Sequence, residues 1–111
     1  IDAYGRAQPC MGIRAPELTC DVIGAGSHLS LRESLDSFAC LSHMHATNPD
    51  YLRRCAVCIL KGLCEQCPAK SWSEHGNLDT PVEYLCEVAH SQARYLGWLD
   101  ENKDGWEDAG F

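Results

Sequence analysis

Apolar residues recur at helical spacing in two stretches of the chain, and a start signal precedes each. Leu31, Leu35, Phe38 and Leu41 share one helical face. Ser30-Leu31-Arg32-Glu33 is a capping-box pattern, so a helix is expected to start at Leu31, and Asn48-Pro49 ends that run. The second stretch carries Tyr84, Leu85, Val88, Ala89 and Tyr95. It follows Thr80-Pro81-Val82-Glu83, a second capping box with proline at the first helical position, and Gly97 is placed to close it. Between the two, Pro68 suits the first turn of a short helix that stops at Gly76. Residues 1–13 read as a hairpin, with a strand end and turn glycine in Asp2-Ala3-Tyr4-Gly5 and the return strand in Met11-Gly12-Ile13. Residues 14–29, with Pro16, Gly24 and Gly26, read as irregular. The pattern predicts a small α+β fold: an N-terminal β-hairpin, then about three helices around a cysteine-rich loop.

Charge and composition narrow the function classes. Sixteen acidic residues against nine basic ones give a formal charge of −7, with no basic tract, which disfavours nucleic acid and anionic membrane as partners. The apolar runs fall far short of the ~20 residues a membrane span needs. Ile1 to Arg6 lack the charged and apolar regions of a signal peptide, and the chain opens without a Met, as an excised segment or a mature form would.

Eight cysteines in 111 residues change the picture most. They are Cys10, Cys20, Cys40, Cys55, Cys58, Cys64, Cys67 and Cys86. An even count fits disulfides in a secreted protein. The spacing favours metal ligation: Cys55-Ala-Val-Cys58 and Cys64-Glu-Gln-Cys67 are two C-x-x-C pairs only five residues apart, too crowded to serve as cross-links around a domain. Soft thiolates select zinc, copper(I) or iron–sulfur clusters. Structural zinc pairs usually stand ~15–20 residues apart. Dense runs with one distant ligand are nearer the iron–sulfur habit, and Cys86, early in a capped helix, is the obvious distant ligand. Zinc, in an interaction module with no redox role, is the alternative. Ligation in place of disulfides implies a cytoplasmic setting.

These residues resemble a known pattern. Cys55-x2-Cys58-x5-Cys64-x2-Cys67-Pro68-Ala69, followed by Gly76 and by Pro81-x-x-Tyr84-x-Cys86, looks like the SPASM domain, the C-terminal auxiliary-cluster domain of radical S-adenosylmethionine enzymes. Gly5-Arg6-Ala7-Gln8-Pro9-Cys10 matches the family's glycine placed before a cysteine. The resemblance covers about residues 1–97 and leaves 98–111 as an acidic C-terminal tail. It implies that Cys55, Cys58, Cys64 and Cys86 ligate an outer [4Fe–4S] cluster, and that Cys10 and Cys67 belong to an inner one. It implies an auxiliary domain of a larger oxidoreductase that modifies a peptide or protein, serving electron transfer or substrate positioning. The partners would be the radical core of the same parent chain and the peptide substrate.

Two departures from the family pattern stand out. Cys64 and Cys67 are separated by two residues where three are common, and only four residues precede Gly5, where further inner-cluster cysteines are expected. Cys20 and Cys40 substitute, or the inner site is incomplete, or Cys67 joins a single site. The motif C-x3-C-x2-C, which binds the catalytic cluster and S-adenosylmethionine, is nowhere in the chain, so the chain alone is not expected to be catalytic.

The remaining features read as ordinary. Val22-Ile23-Gly24-Ala25-Gly26 lacks the third glycine of a dinucleotide fingerprint, since position 29 is Leu29. Asp100-Glu101-Asn102-Lys103-Asp104-Gly105 opens like a calcium loop but has Phe111 where the closing glutamate belongs, so a solvated acidic tail is expected. His43, His45, His75 and His90 read as surface residues or as supports behind the ligands. Trp72, Tyr84 and Tyr95 are expected to pack as core against the cysteine loop, and Cys20 and Cys40 to be buried free thiols.

Overall fold

The computed structural model describes residues 1–23 and 30–107. It has the small α+β architecture expected, a two-stranded antiparallel hairpin followed by helices, divided into two compact units, Ile1–His45 and Ala46–Phe111. Among the described residues no helix is long and apolar enough to cross a membrane.

In the first unit, strand β1 (Arg6–Ala7) pairs with β2 (Cys20–Asp21), in the register Arg6 with Asp21 and Ala7 with Cys20. The return strand is therefore not Met11–Ile13; a 3₁₀ turn at Pro16–Leu18 intervenes, and Ala7, Ile13, Ala15 and Leu18 are each buried. The turn before β1 depends on Asp2. Its carboxylate accepts the backbone N–H of Tyr4 (2.9 Å) and of Arg6 (3.0 Å) through Oδ1. Through Oδ2 it accepts from Arg6 Nε (2.9 Å), Gln8 Nε2 (3.2 Å) and Arg14 Nη1 (3.4 Å). Gly5 closes the turn at φ +76°, and a Cβ there would stand 2.7 Å from Ile23 Cβ, so glycine meets both the conformation and the space.

Helix α1 (Leu31–Ser37) starts where the capping box predicts. Ser30 Oγ accepts from Glu33 N, and Glu33 Oε2 accepts from Ser30 N. It runs into a 3₁₀ stretch, Phe38–His43. The apolar face is less buried than its spacing suggests: Leu31 and Leu35 are exposed, and Ser34, whose hydroxyl bonds back to Ser30 O, is buried. Cys20 is half-buried, 3.7 Å from Ser37 Oγ, and Cys40 is exposed, so neither is the buried thiol expected. The glycines of Val22–Gly26 lie outside the described residues.

The second unit is built on two helices. Cys67 caps α2 (Pro68–His75), its sulfur accepting from Lys70 N, and Gly76 at φ +74° ends the helix. Helix α3 (Glu83–Tyr95) begins later than the Thr80 capping box predicts. Thr80 is occupied elsewhere: its N–H donates to Ser71 Oγ (2.8 Å) and its hydroxyl to Asn77 Oδ1 (2.6 Å). Val82 holds the cap position without a side-chain cap, and the Gln66 amide bonds both its C=O (2.7 Å) and its N–H (3.2 Å). At the other end Gly97 N–H reaches Arg94 O (3.0 Å) and Trp98 N–H reaches Ala93 O (2.8 Å), a Schellman close around Gly97 at φ +72°.

Asp2 gives the first unit an acid sensitivity. Its burial alone would raise the pKa, but the Arg6 and Tyr4 backbone N–H groups and the Arg6 guanidinium outweigh that and hold it at about 2, against an ordinary 3.8. A depressed folded-state pKa adds stability that is complete above the ordinary value and is lost as pH falls through about 2. In an NMR titration the amide signals of Tyr4 and Arg6 should move with a midpoint near 2, and in Asp2→Asn that transition should be gone.

Candidate metal centre

The cysteine segment is not a plain loop. Asn48 caps a helical stretch, its side chain accepting from Asp50 N (2.9 Å). The stretch widens into a π-turn at Tyr51–Cys55, closed by Ala56 N to Tyr51 O at 2.9 Å. The widened turn carries Arg54 and Cys55 side by side. Cys58 then caps a 3₁₀ turn at Ile59–Gly62, its sulfur accepting from Leu60 N (3.4 Å), and Cys64 follows with its N–H on Leu60 O (3.0 Å). Leu60 anchors the segment, buried with Ala93 of α3 and Leu99, with Cys58 and Leu63 packed against them.

This folding brings Cys55, Cys58, Cys64 and Cys86 onto the wall of one cavity of about 250 Å³, together with Arg54, Leu60, Lys61, Gln66, Ala89, His90 and Trp106. Cys67 is not on that wall; it spends its sulfur on capping α2. Cys10 belongs to the first unit, where its sulfur accepts from Gly12 N (3.4 Å). All eight cysteines are free thiols.

Trp106 lines the cavity from beyond position 97, and its neighbours pack against the cysteine segment and α3. The structure thus differs from a solvated tail over 98–107. Leu99 and Gly105 are buried, Gly105 O accepts from Ile59 N (2.9 Å), and Gly105 N donates to His90 Nε2 (3.0 Å). A Cβ on Gly105 would come within 2.7 Å of Cys58 Sγ and 2.8 Å of Leu60 Cγ. Trp106 meets His90 edge-on at 5.1 Å and lies 4.7 Å under the Arg54 guanidinium. The Asp104 carboxylate faces Arg94 (3.6 Å) and His90 (3.8 Å), and the position of Phe111 falls outside the described residues.

His90 is a buried support. Because Nε2 accepts from a backbone N–H, the proton of the neutral ring sits on Nδ1, which is 2.8 Å from Cys86 O and 3.5 Å from Cys86 Sγ. His43, His45 and His75 are exposed. Tyr84 and Tyr95 are 70% and 91% exposed and Trp72 is half-buried; the cavity is lined instead by Tyr51 and by Trp106, which the helical spacing could not reveal because it lies beyond the last helix.

Burial and neighbouring charge set the titration of two of the donors. Burial pushes the Cys55 thiol up to about 11; Arg54 opposes this, and Cys86, Cys64 and Cys58 nearby add to it. Burial likewise raises Cys86, against the hydrogen bond and charge of Arg54. Cys55 and Cys86 therefore favour the neutral thiol until a cation takes their charge. Arg54 donates through both terminal nitrogens to Glu83 (2.6 and 2.8 Å) and through Nη2 to Cys86 Sγ (3.6 Å). Its Nε is buried without a hydrogen-bond partner among the described residues.

The donor set is four sulfurs, the soft donors that zinc, copper(I) and iron–sulfur clusters all take. A tetrahedral zinc, with Zn–S of about 2.3 Å, needs its sulfurs roughly 3.8 Å apart. Among the described residues no three His, Cys, Asp or Glu side chains gather closely enough to hold a single ion. A four-iron cluster takes one thiolate at each of four separated corners and needs the space between them. Four thiols around a cavity, a buried unpartnered Nε–H on the cavity-lining Arg54 and the Leu60 backbone N–H on Cys58 Sγ fit that group in donor chemistry. A scan of protein-family models, a search of curated proteins and a search of solved structures each return no match for the chain.

Gly105→Ala tests the closure of the cavity by residues 98–107. Overpacking against Leu60 and Cys58 should cost about 1–3 kcal/mol, read as a lowered melting temperature in circular dichroism. A tail free in solvent would show no change.

Proposed function

We propose that the chain is a SPASM-like auxiliary domain holding one [4Fe–4S] cluster on Cys55, Cys58, Cys64 and Cys86. The carrying observation is the convergence of these four thiols, and not of Cys67, on one cavity. Cysteines 31 positions apart at the extremes of the set meet because α3 returns Cys86 to the loop. Bound there, the cluster supplies one-electron transfer through an iron site with all its ligands from protein. The chain's own residues bind it, cover it with Trp106 and Leu60, and direct N–H groups at the sulfurs.

In this reading the domain serves a radical S-adenosylmethionine core of the same parent chain, acting on a peptide or protein. S-adenosylmethionine belongs to that core, because no C-x3-C-x2-C occurs here. Cys10 and Cys67 are the ligands that the resemblance gives to an inner cluster; the four-thiolate site is complete without them. Eight free thiols and an air-sensitive cluster suit the cytoplasm.

Anaerobic reconstitution of the 111-residue chain should incorporate about four irons with matching sulfide. Cys58→Ser should lose the iron and much of the fold's thermal stability, because ligation carries folding free energy in small metal domains. Cys67→Ser should keep the iron of this site. Zinc bound in place of iron, in protein made without air, or equal iron loss in both variants, would overturn the assignment.

A further inference from the structure

Arg54 stands where a cluster's potential is set. Two cations line the cavity, and they are used differently. Lys61 spends its ammonium on Ala56 O (2.6 Å). Arg54 reaches a ligand sulfur, with Nη2 3.6 Å from Cys86 Sγ. Three further contacts fix its guanidinium. Glu83, in the first turn of the helix that carries Cys86, grips both terminal nitrogens, and Trp106 lies 4.7 Å beneath the plane. The remaining donor, Nε, is buried with no partner among the described residues. Arg54 is 22% exposed in its side chain and Glu83 63%, so the cation is the inner member of the pair and the anion the outer.

We propose that Arg54 is a positioning residue that raises the reduction potential of the cluster held by Cys55, Cys58, Cys64 and Cys86, with Glu83 setting how much of its charge the cluster feels. This rests on the cluster reading of the same cavity. Four thiolates on an oxidised [4Fe–4S]2+ core carry a net charge of roughly −2, and one added electron makes it roughly −3. A cation against one of the sulfurs stabilises the more negative state more, and the low-dielectric wall keeps it effective. Donation to Cys86 Sγ acts in the same direction, because it removes charge from the ligand. Glu83 opposes both, from farther out and nearer to water.

A purely structural tie makes a different forecast. Arg54→Gln and Glu83→Gln break the same ion pair between the π-turn and α3, so both would lower stability and neither would move the potential in a set direction. Under the proposal their potentials move in opposite directions.

The test is a mediated potentiometric titration with dithionite as the reductant, followed by electron paramagnetic resonance of the reduced state. One electron passes from dithionite, which is oxidised, to each cluster, and no bond or proton need move. Reconstituted wild-type chain is compared with Arg54→Gln, Arg54→Lys and Glu83→Gln. Arg54→Gln should lower the midpoint potential, Glu83→Gln should raise it, and Arg54→Lys should fall between wild type and Arg54→Gln. If Arg54→Gln fails to fold, an upward shift in Glu83→Gln together with a potential below wild type in Arg54→Lys still decides. Iron loaded at full stoichiometry with potentials unchanged in Glu83→Gln and Arg54→Lys overturns the role of Arg54 alone. A wild-type chain that takes up no iron overturns the cluster reading and this one with it.

Discussion

Four thiols line one partly buried cavity of the second unit, where any charge they took on would cost free energy. Thiolates repel one another and lose hydration on burial, which is why Cys55 and Cys86 titrate high without a cation. The surrounding residues are those that would offset the charge once it forms. Arg54 places a guanidinium on Cys86, and Leu60 turns its N–H to Cys58. His90 directs Nδ1–H between the carbonyl and the sulfur of Cys86. Each contact stabilises a thiolate more than a thiol.

The same requirement accounts for the local backbone. A regular α-helical turn through residues 51–55 would hold Arg54 and Cys55 at ordinary angular spacing; the π-turn shifts that spacing where both side chains face the cavity. The 3₁₀ turn after Cys58 spends its free N–H on the sulfur itself. Gly105 has no side chain because the backbone there lies against Cys58 and Leu60, and its two polar groups bond Ile59 and His90. Removing any of these leaves a buried polar group or sulfur without its partner.

Much of this was legible in the chain. Ser30 and Glu33 specified the start of α1, and Pro68 with Gly76 bounded α2, because those signals act through neighbours a few residues away. Gly97 marked the end of α3 for the same reason. The Thr80 box failed because Asn77 and Ser71 compete for its hydroxyl and N–H, and such competition is invisible in a four-residue pattern. Met11–Ile13 is the nearer candidate partner in sequence, but the 3₁₀ turn at Pro16–Leu18 carries the chain on so that Cys20–Asp21 pairs with Arg6–Ala7, a connection longer than a tight hairpin signal reads.

Sequence alone supplied the candidate donors: the spacing of Cys55, Cys58 and Cys64, with Cys86 early in a helix, offers soft sulfur ligands because few residue types bind soft metals. Only the tertiary structure decided which cysteines share a site. It joined Cys86 to the loop, turned Cys67 to its own helix, and drew Arg54, His90, Gly105 and Trp106 around the cavity. Ligand identity is a property of single side chains and short spacings. Membership of a site depends on how α3 packs through Ala93 and Leu99 onto Leu60, a contact among residues distant in sequence.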